Sequence, residues 1–225
     1  MKKTEVKDLE KTKILIGYYG FWVVLTYINA AAGLTGIYFA LTGNIRYALI
    51  SLMAAGLCDG FDGRIANLKE RSDREKSYGI QIDALADIIS FGLLPAVIGY
   101  AIITNSNMQT PVFLYLIISV MFVLTALIRL AYFNVIEIEH LNNNKKQEYF
   151  SGLPVTSVSI IIPFIFSICS VFNIPFSFVY TIMLIVISIA FIINIKIPKP
   201  RGRSLILLCL IVLPAAMYII FIGGN

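Results

Sequence analysis

Charge is scarce in this 225-residue chain. Asp, Glu, Lys and Arg make up 14% of it, hydrophobic residues make up 58%, and mean hydropathy is +0.83. Soluble domains carry about 25% charged residues, so the shortage argues against an ordinary soluble enzyme and strongly against disorder. The lone histidine, His140, cannot form a histidine metal cluster and offers no sign of a catalytic triad; beside Glu137 and Glu139 it reads as a solvated loop residue. Cys58, Cys169 and Cys209 have no metal-ligand spacing and read as small buried hydrophobes. No internal repeat or low-complexity tract interrupts the chain. The N-terminal head alternates acid and base with no short apolar region before a cleavage site, so no signal peptide is expected. The net charge of +5 does not point to nucleic acid, because the basic residues lie beside apolar runs.

Long apolar runs are what the chain has. They cover roughly 18–41, 46–63, 82–105, 110–134, 153–172, 174–195 and 204–222, each close to the length of a membrane-crossing helix. A turn is expected at Asn173-Ile174-Pro175. With the N-terminus in the cytoplasm, seventeen of the eighteen Lys and Arg residues fall on the cytoplasmic side, and only Arg46 falls opposite. That asymmetry obeys the positive-inside rule and predicts seven spans with the C-terminus outside. The expected fold is all-α: a polytopic integral membrane helical bundle forming one domain over residues 1–225. Residues 1–17 are a cytoplasmic segment, either an interfacial helix or a charged tail. Trp22, the only tryptophan, reads with Tyr18 and Tyr19 as an interfacial aromatic belt.

Four aspartates break the apolar pattern near one membrane face. Asp59 and Asp62 are three residues apart, and Asp83 and Asp87 are four apart, so each pair shares one helix face. The second span ends near Asn67 and the third begins near Gly79, which sets the pairs opposite each other at cytoplasmic helix ends. Four carboxylates in a low dielectric repel one another, and a hard divalent cation relieves this. Two ions suit four carboxylates; one ion with a free carboxylate does too. Gly56 and Gly92 suit close helix packing. Gly60 and Gly63 sit among the acids, where a missing side chain lets a phosphate or nucleotide lie against backbone. Thr26, Asn29 and Gly33 form a polar patch on the first span, open to substrate or to a neighbouring helix.

These residues resemble the signature of the CDP-alcohol phosphatidyltransferase family, D-x-x-D-G-x-x-A-R followed by G-x-x-x-D-x-x-x-D. Asp59, Asp62, Gly63 and Ala66 match its first half, and Gly79, Asp83 and Asp87 its second. Two departures stand out. Asn67 occupies the arginine position, and the gap from there to Gly79 is eleven residues, longer than the family spacing. Arg64, Lys69 or Arg71 is positioned to restore the missing positive charge. The run Asp83-Ala84-Leu85-Ala86-Asp87 with Phe91-Gly92 and Pro95-Ala96 resembles the branch that uses L-serine as acceptor. Ile128–Asn134 and Ser151–Thr156 resemble further segments of that branch. The branch that makes phosphatidylglycerolphosphate has a proline and a lysine around the last acids, which are absent here.

The resemblance implies a six-helix core, with the run at 204–222 as a seventh, C-terminal helix. It implies Mg²⁺ or Mn²⁺, two per site, held by Asp59, Asp62, Asp83 and Asp87. It implies transfer of a phosphatidyl group from CDP-diacylglycerol to the L-serine hydroxyl with release of CMP, Asp83 and Asp87 being catalytic and Asp87 the candidate base. Gly60, Gly63, Arg64, Ala66, Asn67, Gly79, Arg71 and Arg129 are then candidates for binding CDP, phosphate or serine. Arg129 either holds an anion or snorkels to the interface. Ser90 and Asn134 either touch substrate or pack helices. Lys145, Lys146 and the bases of 196–203 read as topology determinants. The expected setting is a prokaryotic cell membrane with a cytoplasmic active site, and the expected assembly is a homodimer. Glycerol 3-phosphate or an inositol phosphate as acceptor, or an ether-lipid CDP donor, are the alternatives within the family; a cation or proton transporter is the alternative outside it.

Overall fold

The computed structural model of the chain describes residues 16–66, 68, 70–105, 111–143, 149–194, 196–198, 214 and 217–219. A 3-10 turn, Phe21–Val23, leads into α1, Val24–Leu41. This helix buries Thr26, Asn29, Gly33, Gly36 and Ala40, while Leu34, Tyr38 and Leu41 point outward. Small and polar residues inside with large apolar ones outside is the arrangement of a helix bathed in lipid, where close backbone approach drives packing. Gly43, at φ 80°, supplies the left-handed residue that turns the chain back into α2, Ile45–Ala66. α1 and α2 pack along their length as a hairpin.

The third stretch starts earlier than its apolar run. α3, Asp73–Asp87, opens with a capping box: the Glu75 N–H donates to Ser72 Oγ at 3.3 Å, and the Ser72 N–H donates to Glu75 Oε2 at 2.9 Å. The cap extends the helix into the polar segment before residue 82, where hydrophobicity gives no signal. Ser72→Ala is expected to cost about 1 kcal/mol, read as a fall of a few degrees in thermal unfolding in detergent; an unchanged midpoint would mean that neighbouring helices hold α3 without its cap. After Asp87 the helix widens into a π-helical stretch, Ile88–Leu93, then narrows into α4, Leu94–Asn105. Pro95 lies just beyond the wide turn and has no N–H to return to it. The Tyr180 hydroxyl donates to Pro95 O at 2.6 Å and the Tyr115 hydroxyl to Ala96 O at 2.7 Å, so both buried hydroxyls are satisfied.

α5 spans Val112–Asn143. β1, Tyr149–Ser151, and a 3-10 turn at Val155–Ser157 precede α6, Val158–Val171. The expected turn follows: Asn173 has φ 53°, and the Ile174 N–H closes back on Cys169 O at 2.8 Å. α7, Phe176–Ile192, then returns to β2, Lys196–Pro198. β1 and β2 pair antiparallel, with Phe150 opposite Ile197. The ladder ties the entrance of α6 to the exit of α7, so this helix pair leaves and returns at the same end. The fold is all-α as expected, and this two-strand ladder is a short addition to it, too brief to show a period of two among charged and apolar neighbours. The core lies between the helices and includes Leu49, Leu52, Phe91, Leu94, Phe122, Ile162, Tyr180 and Leu184, all fully buried.

Seven expected spans compare with a smaller number that qualifies by length and composition. Phe21–Leu41, Asp73–Asn105 and Val112–Glu139 are long and apolar enough to cross a membrane, with 21, 33 and 28 residues. Val155–Val171 and Phe176–Ile192 are apolar but shorter. α2 has the length, 22 residues, but carries Arg46, Asp59, Asp62 and Arg64. The expected last helix, 204–222, lies outside the described residues except at Pro214 and Met217–Ile219, which are helical. Residues 1–15, with most of the expected N-terminal segment, also lie outside them.

Candidate active site

The acids converge at one end of the bundle. The C-terminal turns of α2 carry Asp59 and Asp62, and the inner half of α3 carries Asp83 and Asp87. One carboxylate oxygen each from Asp59, Asp83 and Asp87 lies within 4.8 Å of the other two, a group able to hold a metal ion. Asp59 is in hydrogen-bonding reach of Asp87. Asp62 stands beside this trio, in reach of Asp83 and of the Thr26 hydroxyl. The period-3.6 pairing thus has its spatial counterpart, with three acids tight and the fourth at the edge.

Several oxygens here are left open. Asp62 Oδ2, Asp83 Oδ1 and Asn29 Oδ1 are buried without a hydrogen-bond partner. Buried acceptors lacking donors call for an explanation, and clustered carboxylate oxygens are the donor set of a hard divalent cation. The residues present therefore fit the expected metal. Asp59, Asp83 and Asp87 are the residues whose oxygens would hold it, with Asp62 beside them.

α1 supports the acids from behind. Asn29 is fully buried, and its Nδ2 donates to Asp87 Oδ1 at 3.0 Å. Ser90, in the π-helical stretch, donates from Oγ to Asn29 O at 2.9 Å. Gly33 faces the same serine so closely that an added Cβ would meet Ser90 Oγ and come within 2.9 Å of Ser90 Cα. The polar patch on the first span is therefore the brace of Asp87, and Ser90 is part of it. Asn29 and Thr26 carried a signal, their spacing on one face of α1, but no motif that marked them as partners of the acids.

The glycines divide by environment. A Cβ on Gly60 or Gly63 would meet nothing within 4 Å, so both leave open backbone beside the acids, as expected. At Gly56 a Cβ would strike the Ser159 side chain, which makes it a packing position between α2 and α6. Gly92 faces mainly Ile88 of its own helix, with Ala126 3.8 Å away, a looser contact than the expected helix packing.

Next to the acids, between α1, α2 and α3, lies a cleft lined by Trp22, Thr26, Asp62, Gly63, Ala66, Arg71, Lys76, Gly79, Asp83 and Glu137, among others. Trp22 is only 2% exposed, which overturns its reading as an interfacial belt residue. It packs with Val23 and Ala66, while Tyr19 remains exposed. A belt and a buried anchor look alike at the head of an apolar run; the early start of α3 is what covers this tryptophan. Lys76 and Glu137 are cleft residues that carried no sequence signal beyond their charge.

The other expected ligand-binding residues are dispersed. Arg71 is in the cleft, and Arg129 is not among its lining. Arg129 is buried in α5, and its Nη2 donates to Gly152 O at 3.4 Å. Gly152 has φ 74°, and a Cβ there would lie 2.8 Å from Ile193 O, so only glycine suits this corner. Arg129 therefore does not snorkel; it is held inside the bundle against the corner at Gly152. Arg64 lies on the last turn of α2. Asn67 lies outside the described residues.

Comparison with known proteins agrees with this arrangement. The sequence model of the family described as CDP-alcohol phosphatidyltransferase matches residues 23–195. A CDP-diacylglycerol–serine O-phosphatidyltransferase of Saccharomyces cerevisiae is 35% identical over 141 residues, covering 57% of this chain and 48% of that protein. A protein of the same description from Mycobacterium leprae is 34% identical over 130 residues, covering 58% of this chain and 41% of that protein. An archaetidylserine synthase of Methanothermobacter thermautotrophicus is 26% identical over 181 residues, covering 80% and 70%. The match to the first two thus spans less than half of each relative's length. The matched region runs from the 3-10 turn before α1 to the end of α7 and takes in all four acids, and by that match the chain belongs to the CDP-alcohol phosphatidyltransferase family.

Proposed function

We propose that this protein transfers a phosphatidyl group from CDP-diacylglycerol to the hydroxyl of L-serine, giving phosphatidylserine and CMP. The observation that carries the chemistry is the convergence of Asp59, Asp83 and Asp87 within 4.8 Å, beside a cleft whose wall includes the open backbone of Gly63. Serine as acceptor is supported by the names of the relatives, in which it recurs. The four aspartates would hold Mg²⁺ or Mn²⁺, two per site in this reading, which would supply positive charge against the donor pyrophosphate and the transferred phosphoryl group. Asp59, Asp62 and Asp83 hold the charge at the site. Asp87 has Oδ1 committed to Asn29, which fixes the carboxylate and leaves the other oxygen to take the serine hydroxyl proton. The serine oxygen forms the new bond to phosphorus as the bond to the CMP oxygen breaks, in one in-line displacement.

The setting belongs to the same proposal. The core comprises six helices, α1, α2, the continuous α3–α4, α5, α6 and α7, in one domain over 1–225 with a seventh at 204–222. Ile219 is buried, and the Tyr218 and Ser170 hydroxyls lie 2.7 Å apart, which supports packing of that last segment on α6. The charge asymmetry supports a cytoplasmic N-terminus and active site with the C-terminus outside, in a prokaryotic membrane. A homodimer is part of this reading. An archaetidyl donor is the second reading, favoured by the relative that matches 80% of the chain.

The test is CMP release by the purified protein in detergent with Mg²⁺ or Mn²⁺. CDP-diacylglycerol and a CDP-archaeol donor would each be given serine, glycerol 3-phosphate, inositol phosphate or no acceptor. Metal-dependent release that requires serine is the expected result. Release with glycerol 3-phosphate or inositol phosphate instead would end the serine assignment and keep the family chemistry.

A further inference from the structure

Arg71 stands apart from the other bases of the α2–α3 connection. It precedes Ser72, whose capping box fixes the start of α3, so its backbone is tied to a rigid element. Its guanidinium carbon lies 5.3 Å from the Trp22 ring centroid, a cation–π contact. Its Nη1 lies over Gly79, 3.2 Å from where a Cβ would be, and the six-membered ring of Trp22 lies 3.5 Å from the same point. Any larger residue at 79 would push this pair apart. The side chain is thus held by an aromatic face, a bare helix backbone and a capped turn.

What the brace holds is a cation with unused donor capacity. Arg71 Nε is buried and has no hydrogen-bond partner. Lys76 also lines the cleft, but it pairs with Asp73 at 3.5 Å. The same cleft contains Asp62 and Asp83, so one wall is acidic and another carries a planar, stacked guanidinium. A ligand that suits both walls is an anion whose charge is shared between a cation on the carboxylates and a fork of N–H donors. A phosphate fits that description, because guanidinium binds it bidentately.

Resting on the transferase reading, we infer that Arg71, braced by Trp22 over Gly79, binds the phosphate that leaves with the nucleotide, so that it sets affinity for CMP and for the CDP donor but not for serine. The Trp22 face is occupied by the guanidinium, so Trp22 orders Arg71 and does not stack on the base. Arg71 recognises phosphate, and the preference for CMP over cytidine depends on it.

Trp22 is the only tryptophan in the chain, so intrinsic fluorescence reports on this cleft without turnover. The full chain in detergent with Mg²⁺ would be titrated with CMP and with cytidine, by calorimetry as wild type and as Arg71→Gln, Arg71→Lys and Trp22→Phe, and by fluorescence in the three proteins that keep Trp22. Steady-state KM for the CDP donor and for serine would be measured on the same proteins. CMP is expected to change the Trp22 emission of the wild type. Arg71→Gln should weaken CMP about 10- to 100-fold, the range for a lost charge-assisted hydrogen bond, reduce the preference over cytidine, raise KM for the donor and leave KM for serine unchanged. Arg71→Lys and Trp22→Phe should show the same pattern at smaller size, and Arg71→Lys carries the test if the glutamine variant does not fold. CMP affinity unchanged in both Arg71 variants, with wild-type turnover intact, would overturn the inference and leave the transferase reading standing. A wild type that neither binds CMP nor releases it with any acceptor would overturn both.

Discussion

Asp87→Asn and Asp83→Asn are each expected to lower serine-dependent CMP release by about a thousandfold or more, at the upper end of what a positioned acid or base contributes. Both acids sit in the trio whose oxygens lie within 4.8 Å of one another. Removing one charge there weakens cation binding, and at position 87 it also removes the proton acceptor. The amide at 87 still offers an oxygen to Asn29 Nδ2, so the hydrogen bond at 3.0 Å can survive and the helix packing with it. Loss of activity in a protein that elutes and melts like the wild type is the result that separates chemistry from folding. An Asp87→Asn protein retaining a tenth of its activity would remove Asp87 from the role of base. Asp62, at the edge of the trio, is expected to matter less than either.

Gly33→Val is expected to be among the most damaging single changes outside the acids. A Cβ at this position would come within 2.9 Å of Ser90 Cα, a backbone atom that no rotamer change can move aside. α1 would have to separate from the π-helical stretch, stretching the 2.9 Å bond from Ser90 Oγ to Asn29 O and, through Asn29, the contact to Asp87. Overpacking of this kind costs about 1–3 kcal/mol or more. The expected result is a fall in thermal midpoint in detergent together with loss of turnover. Gly60→Ala is the matched control, since a Cβ there meets nothing within 4 Å and the change gains helix propensity of up to about 1 kcal/mol. If Gly33→Val melts no lower than Gly60→Ala, the close approach of α1 to Ser90 is not what holds the acids in place.

The difference between these glycines shows where sequence reading reached its limit. Gly60 and Gly63 lie within the aspartate motif, and their bareness was legible because the motif placed them among acids. Gly33 lies at the end of a run of small residues, Ala30 to Gly33, and nothing local says which of them meets another backbone. Trp22 is a similar case. At the head of an apolar run it matched an interfacial anchor, and only the cap at Ser72, which starts α3 ahead of its hydrophobic stretch, brings Arg71 and Gly79 over it.

Composition determined the membrane class, because too little charge is present to clothe a soluble surface. Local spacing determined that Asp59 with Asp62, and Asp83 with Asp87, share helix faces, because a repeat of 3.6 residues is a property of the chain itself. The Asn173-Ile174-Pro175 signal placed that turn for the same reason. Tertiary structure alone decided the partners: Asn29 for Asp87, 58 positions away, Ser90 for the Asn29 carbonyl, 61 away, Trp22 for Arg71, and Gly152 for Arg129. It also decided that the helix widens after Asp87 and that β1 pairs with β2. These depend on which helices approach closely enough to exclude lipid and satisfy each other's polar groups, a choice made between distant segments that no local repeat encodes.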